Sequence, residues 1–105
     1  MSSNNSNMIM GQTKATNALK PFPVGFEPTS ILVENHSNNC KLEWRATMDP
    51  GTAVKTIADG TRSIVSSAGI TVTAASGNTL AGFTVGAVTD INDTTTEDLH
   101  WVAQR

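Results

Sequence analysis

The sequence predicts an all-β fold, an antiparallel β-sandwich or small jelly roll with an extended N-terminal arm. Fifteen threonines and the lack of any sustained 3.6-residue period argue against helix. Residues 40–46 alternate cleanly, with Cys40, Leu42, Trp44 and Ala46 on one face and Lys41, Glu43 and Arg45 on the other. Short β-branched runs separated by Gly, Pro, Asn and Asp fill the rest, which is the signature of a small strand-and-turn domain.

Residues 1–23 form a polar leader interrupted by Pro21 and Pro23, which favour an extended path. Ser30 to Glu34 is a compact β-branched run, and residues 40–46 make the half-buried strand. Asp49-Pro50-Gly51 is a turn, because proline fixes one dihedral and glycine permits the unusual one. Further strands are expected near Ala53–Ile57, Arg62–Ser66, Ile70–Thr73, Leu80–Val85 and Leu99–Ala103, and Asp93–Asp98 is a candidate for one short helical turn. The expected core is Ile31, Val33, Leu42, Trp44, Ile57, Ile64, Ile70, Val72, Phe83, Val85, Leu99 and Trp101. The two tryptophans are expected to lie close together, as the largest apolar groups available.

A chain of 105 residues makes one domain with a modest core, here residues 24–105. Its net charge of −2 argues against nucleic acid as the principal partner. No run approaches the roughly 18–20 apolar residues of a membrane helix, and no apolar stretch at the amino end reads as a secretion signal. The single cysteine excludes an internal disulfide and any cysteine-rich zinc site. The charge is unevenly placed. Residues 1–23 hold Lys14 and Lys20 and no acid, whereas the remaining 82 hold five basic and nine acidic residues.

The leader carries apolar points at Met8, Ile9, Met10, Leu19 and Phe22. Fully extended, it reaches roughly 75 Å. Ordering about twenty of its residues costs roughly 20–40 kcal/mol of backbone entropy. Apolar burial offsetting that would need something like 800–1,600 Å², less with strand pairing. The expectation is an arm that clasps a neighbouring subunit through those five residues.

Reactive constellations are sparse. Cys40 shares the inward face of its strand and reads as a buried structural thiol. His36 lies in the polar loop Asn35–Asn39, and His100 takes the face opposite Leu99 and Trp101. Nothing resembles the G-x-S-x-G nucleophile elbow, so no enzymatic activity and no catalytic residue is expected. The run Thr89–Asp98 is rich in side-chain oxygens, and Asp90, Asn92, Asp93 and Asp98 are of the type that holds calcium. The spaced acids and glycine of a calcium loop are missing, and Asx side chains bonding their own backbone are the plainer account. No metal or cofactor is expected. Asp59–Ser63 has too few glycines and no lysine for a phosphate loop and reads as a hairpin connection, with Arg62 a candidate partner for Asp59. Asn4, Asn35 and Asn92 match the glycosylation sequon.

Taken together, several blocks resemble a known group of proteins. They are Val24-Gly25-Phe26-Glu27-Pro28, Ile31–Asn35, Trp44, Asp59-Gly60-Thr61-Arg62-Ser63 and Gly69-Ile70-Thr71. The series continues with Gly82-Phe83-Thr84-Val85-Gly86, Asp90-Ile91-Asn92 and Leu99-His100-Trp101-Val102-Ala103. In this order they are similar to small tailed-bacteriophage virion proteins of the head-decoration or cement type, over about residues 24–103. The resemblance implies a protein made in the host cytoplasm and placed on the outer surface of the capsid. Its implied partners are the major capsid protein and further copies of itself, a homotrimer suiting three-fold lattice positions. Trp44, Phe83 and Trp101 would be its structural core. The alternative is a tail or fibre module that binds host carbohydrate, which would require an exposed aromatic ring.

Overall fold

A computed structural model describes residues 7–105. Within it the chain forms eight strands and no helix. They are β1 (Met8–Lys14), β2 (Lys20–Phe22), β3 (Ser30–Asn35), β4 (Cys40–Arg45), β5 (Thr52–Thr56), β6 (Arg62–Thr73), β7 (Gly82–Val85) and β8 (Asp98–Gln104). All eight belong to one hydrogen-bonded sheet in the order β1-β8-β3-β4-β5-β6-β7-β2. Every neighbouring pair is antiparallel.

The sheet curls because β6 changes partner along its length. Its first half pairs with β5, from Thr56–Arg62 to Ala53–Val65, and then the register jumps to Thr52–Ile70. The intervening residues bulge outward. Ala68 takes a positive φ of 58°, and the Gly69 N–H bonds back to the Gly51 carbonyl at 2.9 Å. A bulge of this kind bends a strand and redirects its second half. Ile70–Thr73 therefore pair with β7 and carry their side chains over the opposite half of the sheet. Two runs expected as separate strands are one bent strand.

The concave side is the core. Ile31, Val33, Cys40, Leu42, Trp44, Ala53, Leu99 and Ala103 come from one half, and Ile70, Phe83, Val85 and Phe22 from the other. The two halves meet through rings. Phe22 stacks on Phe83 at 4.6 Å, and Trp101 meets both edge-on at 5.4 and 5.9 Å. Such edge-to-face contacts suit the ring quadrupoles.

The expected core holds with four changes. Ile57, Val72 and Trp101 are half-buried around it, and Ile64 is 64% exposed on the convex side. Ile64 pairs with Val54 on a part of the sheet that none of the described residues covers. The tryptophans do not stack on each other. Trp101 joins the phenylalanines, and the Trp44 indole N–H donates to the Asp49 carbonyl at 3.2 Å. The Asp93–Asp98 run makes a hydrogen-bonded turn at Thr94–Glu97, with no helix.

The larger correction concerns residues 8–23. In place of an arm leaving the domain, they are part of its own sheet: β1 lies along β8 and β2 lies along β7. Strand pairing supplies what apolar burial alone could not, since each added strand satisfies backbone groups while Phe22 and Ala15 go into the core. Residues 1–6 of the expected arm lie outside the described residues.

Candidate functional site

Residues paired across a sheet share a face, so the register maps the convex surface directly. One row crosses six strands: Met10, Val102, Leu32, Glu43, Val54 and Ile64. Five of these six are apolar. Met10 and Ile64, at its two ends, are 61% and 64% exposed, and the others are half-buried. The next row, two residues along each strand, is polar: Gln12, His100, Glu34, Lys41, Thr56 and Arg62. On the other side, Met8, Gln104, Ser30 and Arg45 form a third row. The convex face thus presents an apolar band between two polar ones. Over β1, β8 and β3 the band dips into a shallow groove of about 330 Å³, lined in part by Met10, Leu32, Glu34 and His100.

The polar row has its own structure. His36, in the turn after β3, stacks on His100 with ring centres 4.1 Å apart. Its Nε2 lies 3.6 Å from Glu34 Oε1. Stacked imidazoles hold their in-plane lone pairs in parallel planes, so the two rings do not converge on one ion. Beyond them Lys14 Nζ lies 2.7 Å from Asp98 Oδ1. The hydrogen bond from Lys14 holds the Asp98 carboxyl below the usual range, with help from its charge, from Gln12 and from His100.

The expected arm anchors separate into three groups. Met8 and Met10 stand on the convex face. Ile9 points to the concave side and is 40% exposed, bordering a groove shared with Pro21, Phe22 and Trp101, while Leu19 projects from the turn before β2. Phe22 is buried in the molecule's own core. Among the expected structural residues, Trp44 and Phe83 are buried and Trp101 is half-buried.

The oxygen-rich loop has a structural job. Asn92 is fully buried, and its Oδ1 accepts from the Thr16 N–H at 2.7 Å. Its Nδ2 donates to the carbonyls of Ala18, Val85 and Gly86. That side chain fastens the β1–β2 connection to the end of β7. Asn35, equally buried, donates to the Ile91 carbonyl and to Glu97, joining the β3–β4 turn to the same loop. Two of the three sequons therefore fall on amides already committed inside the protein. Among the described residues no three His, Cys, Asp or Glu side chains gather as a metal site. Asp59 accepts from the Thr61 N–H at 2.8 Å, a contact that holds its carboxyl low, and Arg62 does not pair with it. Cys40 is buried, as its alternation implied, and burial raises its thiol above the ordinary value.

Sequence reasoning missed the convex apolar row. The signal was present at Leu32 and Val54, but only the pairing register brings them into line with Met10 and Ile64. In comparisons with known proteins, no family model, curated protein or solved structure matches this chain.

Proposed function

We propose that this protein is a non-enzymatic virion building block, a head-decoration protein seated on the outer surface of a tailed-phage capsid. It stabilises the shell by adding protein–protein contact to the major capsid protein. The observation that carries this reading is the apolar row from Met10 to Ile64, flanked by polar rows on a face that no element among the described residues covers. An extended apolar band with a polar surround suits a broad protein surface. The resemblance of residues 24–103 to cement proteins supports the same reading.

The gripping device differs from the one expected from the sequence. Met8 and Met10 contribute to the convex face from within the sheet, in place of an arm thrown across to a neighbour. The homotrimer expected from the three-fold positions of a capsid lattice does not depend on that arm and is not part of this proposal. A sugar-binding tail module would need an exposed ring to stack on a pyranose, and all five aromatic residues are buried or half-buried. The decoration reading is therefore preferred.

Cosedimentation with purified heads that lack the protein tests it. Wild-type protein is expected to pellet with heads at a fixed saturating ratio. Leu32→Glu with Ile64→Glu should weaken that binding by about ten-fold or more, as charge enters the apolar band. Wild-type protein that remained in the supernatant would contradict the reading.

A further inference from the structure

The two ends of the sheet are not alike. β2 is three residues long with Pro21 at its centre, a form that discourages further pairing. β1 is seven residues long, runs in unbroken one-to-one register with β8, and contains neither proline nor bulge. Its first six residues are uncharged, and Met8, Ile9 and Met10 are all exposed. Such a strand lacks the usual defences of an edge.

The hydrogen bonds fix which groups it offers. The Arg105 N–H donates to the Asn7 carbonyl, and the Ala15 N–H donates to the Glu97 carbonyl, each at 2.9 Å. In an antiparallel ladder the bonded pairs recur at every second residue. Asn7, Ile9, Gly11, Thr13 and Ala15 therefore turn their backbone groups toward β8. Met8, Met10, Gln12 and Lys14 turn theirs away from it, along an edge of roughly 24 Å.

We propose that this edge pairs with β1 of a second copy, antiparallel about a two-fold axis at Gly11. In that register Met8 faces Lys14 of the second copy and Met10 faces Gln12. All four outward residues of each strand bond, and none is left over. The charges permit it: Lys14 is the strand's only charge, it meets a methionine, and it is already held by Asp98. Gly11 faces its own copy at the axis, where opposed strands approach most closely. Beneath it the Trp101 ring occupies the space of a side chain, since a Cβ there would sit 3.0 Å from the indole. The pairing also carries the apolar band across the axis, bringing the two Met10 side chains diagonally together. This two-fold contact stands independently of the capsid reading.

Analytical ultracentrifugation of the full chain, from low micromolar to near-millimolar concentration, combined with amide exchange, tests the proposal. The mass should rise from 11.1 kDa toward twice that value. In step with it, the amides of Met8, Met10, Gln12 and Lys14 should become protected. Met10→Pro removes an outward N–H and no bond to β8, so it should abolish the dimer. Met10→Lys, which leaves the backbone intact, should weaken dimerisation at least ten-fold. The fluorescence of Trp44 and Trp101 checks that each variant remains folded. A protein that stays monomeric throughout, a trimer, or a dimer that survives both substitutions would overturn the proposal. So would protection of those four amides in a monomer, which would place another part of the same chain on the edge.

Discussion

Asn92 shows how much one side chain does here. Its amide bonds backbone groups of two segments far apart in the chain, the Thr16–Ala18 connection and the end of β7 at Val85–Gly86. Asn92→Ala would leave those buried groups unsatisfied, at a cost of at least about 2 kcal/mol. In a domain of this size that lowers the melting temperature by roughly 10 °C, which calorimetry would register. Unchanged melting would show that water replaces the amide freely. Cys40 makes a second prediction. Burial raises its thiol, only partly opposed by the charge of Lys55, so little thiolate is present near neutral pH. An aromatic disulfide reagent should label it slowly in the native protein and rapidly in denaturant. Equal rates would show that the thiol is accessible. The inward position of Cys40 was legible from the alternation of residues 40–46. The role of Asn92 was not, because a buried amide and a surface Asx turn look alike in a run of Thr, Asp and Asn.

At the scale of elements, legibility followed how strongly each strand is two-sided. β3 and β4 bury one face and wet the other, and their residues alternate accordingly. β1 has exposed residues on both faces near its start, so its sequence carries no period and reads as a leader. Its place is set by the free edge of β8, which lies eighty-odd residues away in the chain. β6 reads as two strands because Ala68-Gly69 resembles a turn. Gly86 is what that bulge requires. A Cβ at Gly86 would land on the Ala68 carbonyl, while the Gly86 N–H bonds the Gly69 carbonyl at 3.0 Å. Gly86→Ala should therefore cost about 3 kcal/mol or more, measured by urea unfolding; a loss under about 1 kcal/mol would show that the bend yields. The end of β1 is pH-sensitive in a defined direction. Because the Asp98 carboxyl is lowered in the folded protein, its pairing with Lys14 contributes fully above the ordinary carboxylate value of about 3.9. The contribution is lost as pH falls below that value through the depressed one. Exchange at the Thr13 and Ala15 amides should accelerate across that window in the wild type and be pH-insensitive there, once intrinsic rates are removed, in Asp98→Asn. Identical profiles would show that the ion pair does not hold the strand end.

At the scale of the whole molecule, the curled sheet turns its rings inward and leaves its convex side for contact. The concave side is filled by the Phe22, Phe83 and Trp101 cluster together with the aliphatic residues of β3, β4 and β8, whereas none of the described residues covers the row from Met10 to Ile64. That division separates the part of the chain that makes the fold from the part proposed to bind. Electron cryomicroscopy of phage heads with and without the protein tests the decoration role. Hundreds of added densities per head are expected, each unit about 43 × 27 × 23 Å, with the convex face of the sheet against the shell. Heads that look the same in both preparations, or density confined to the tail, would contradict it.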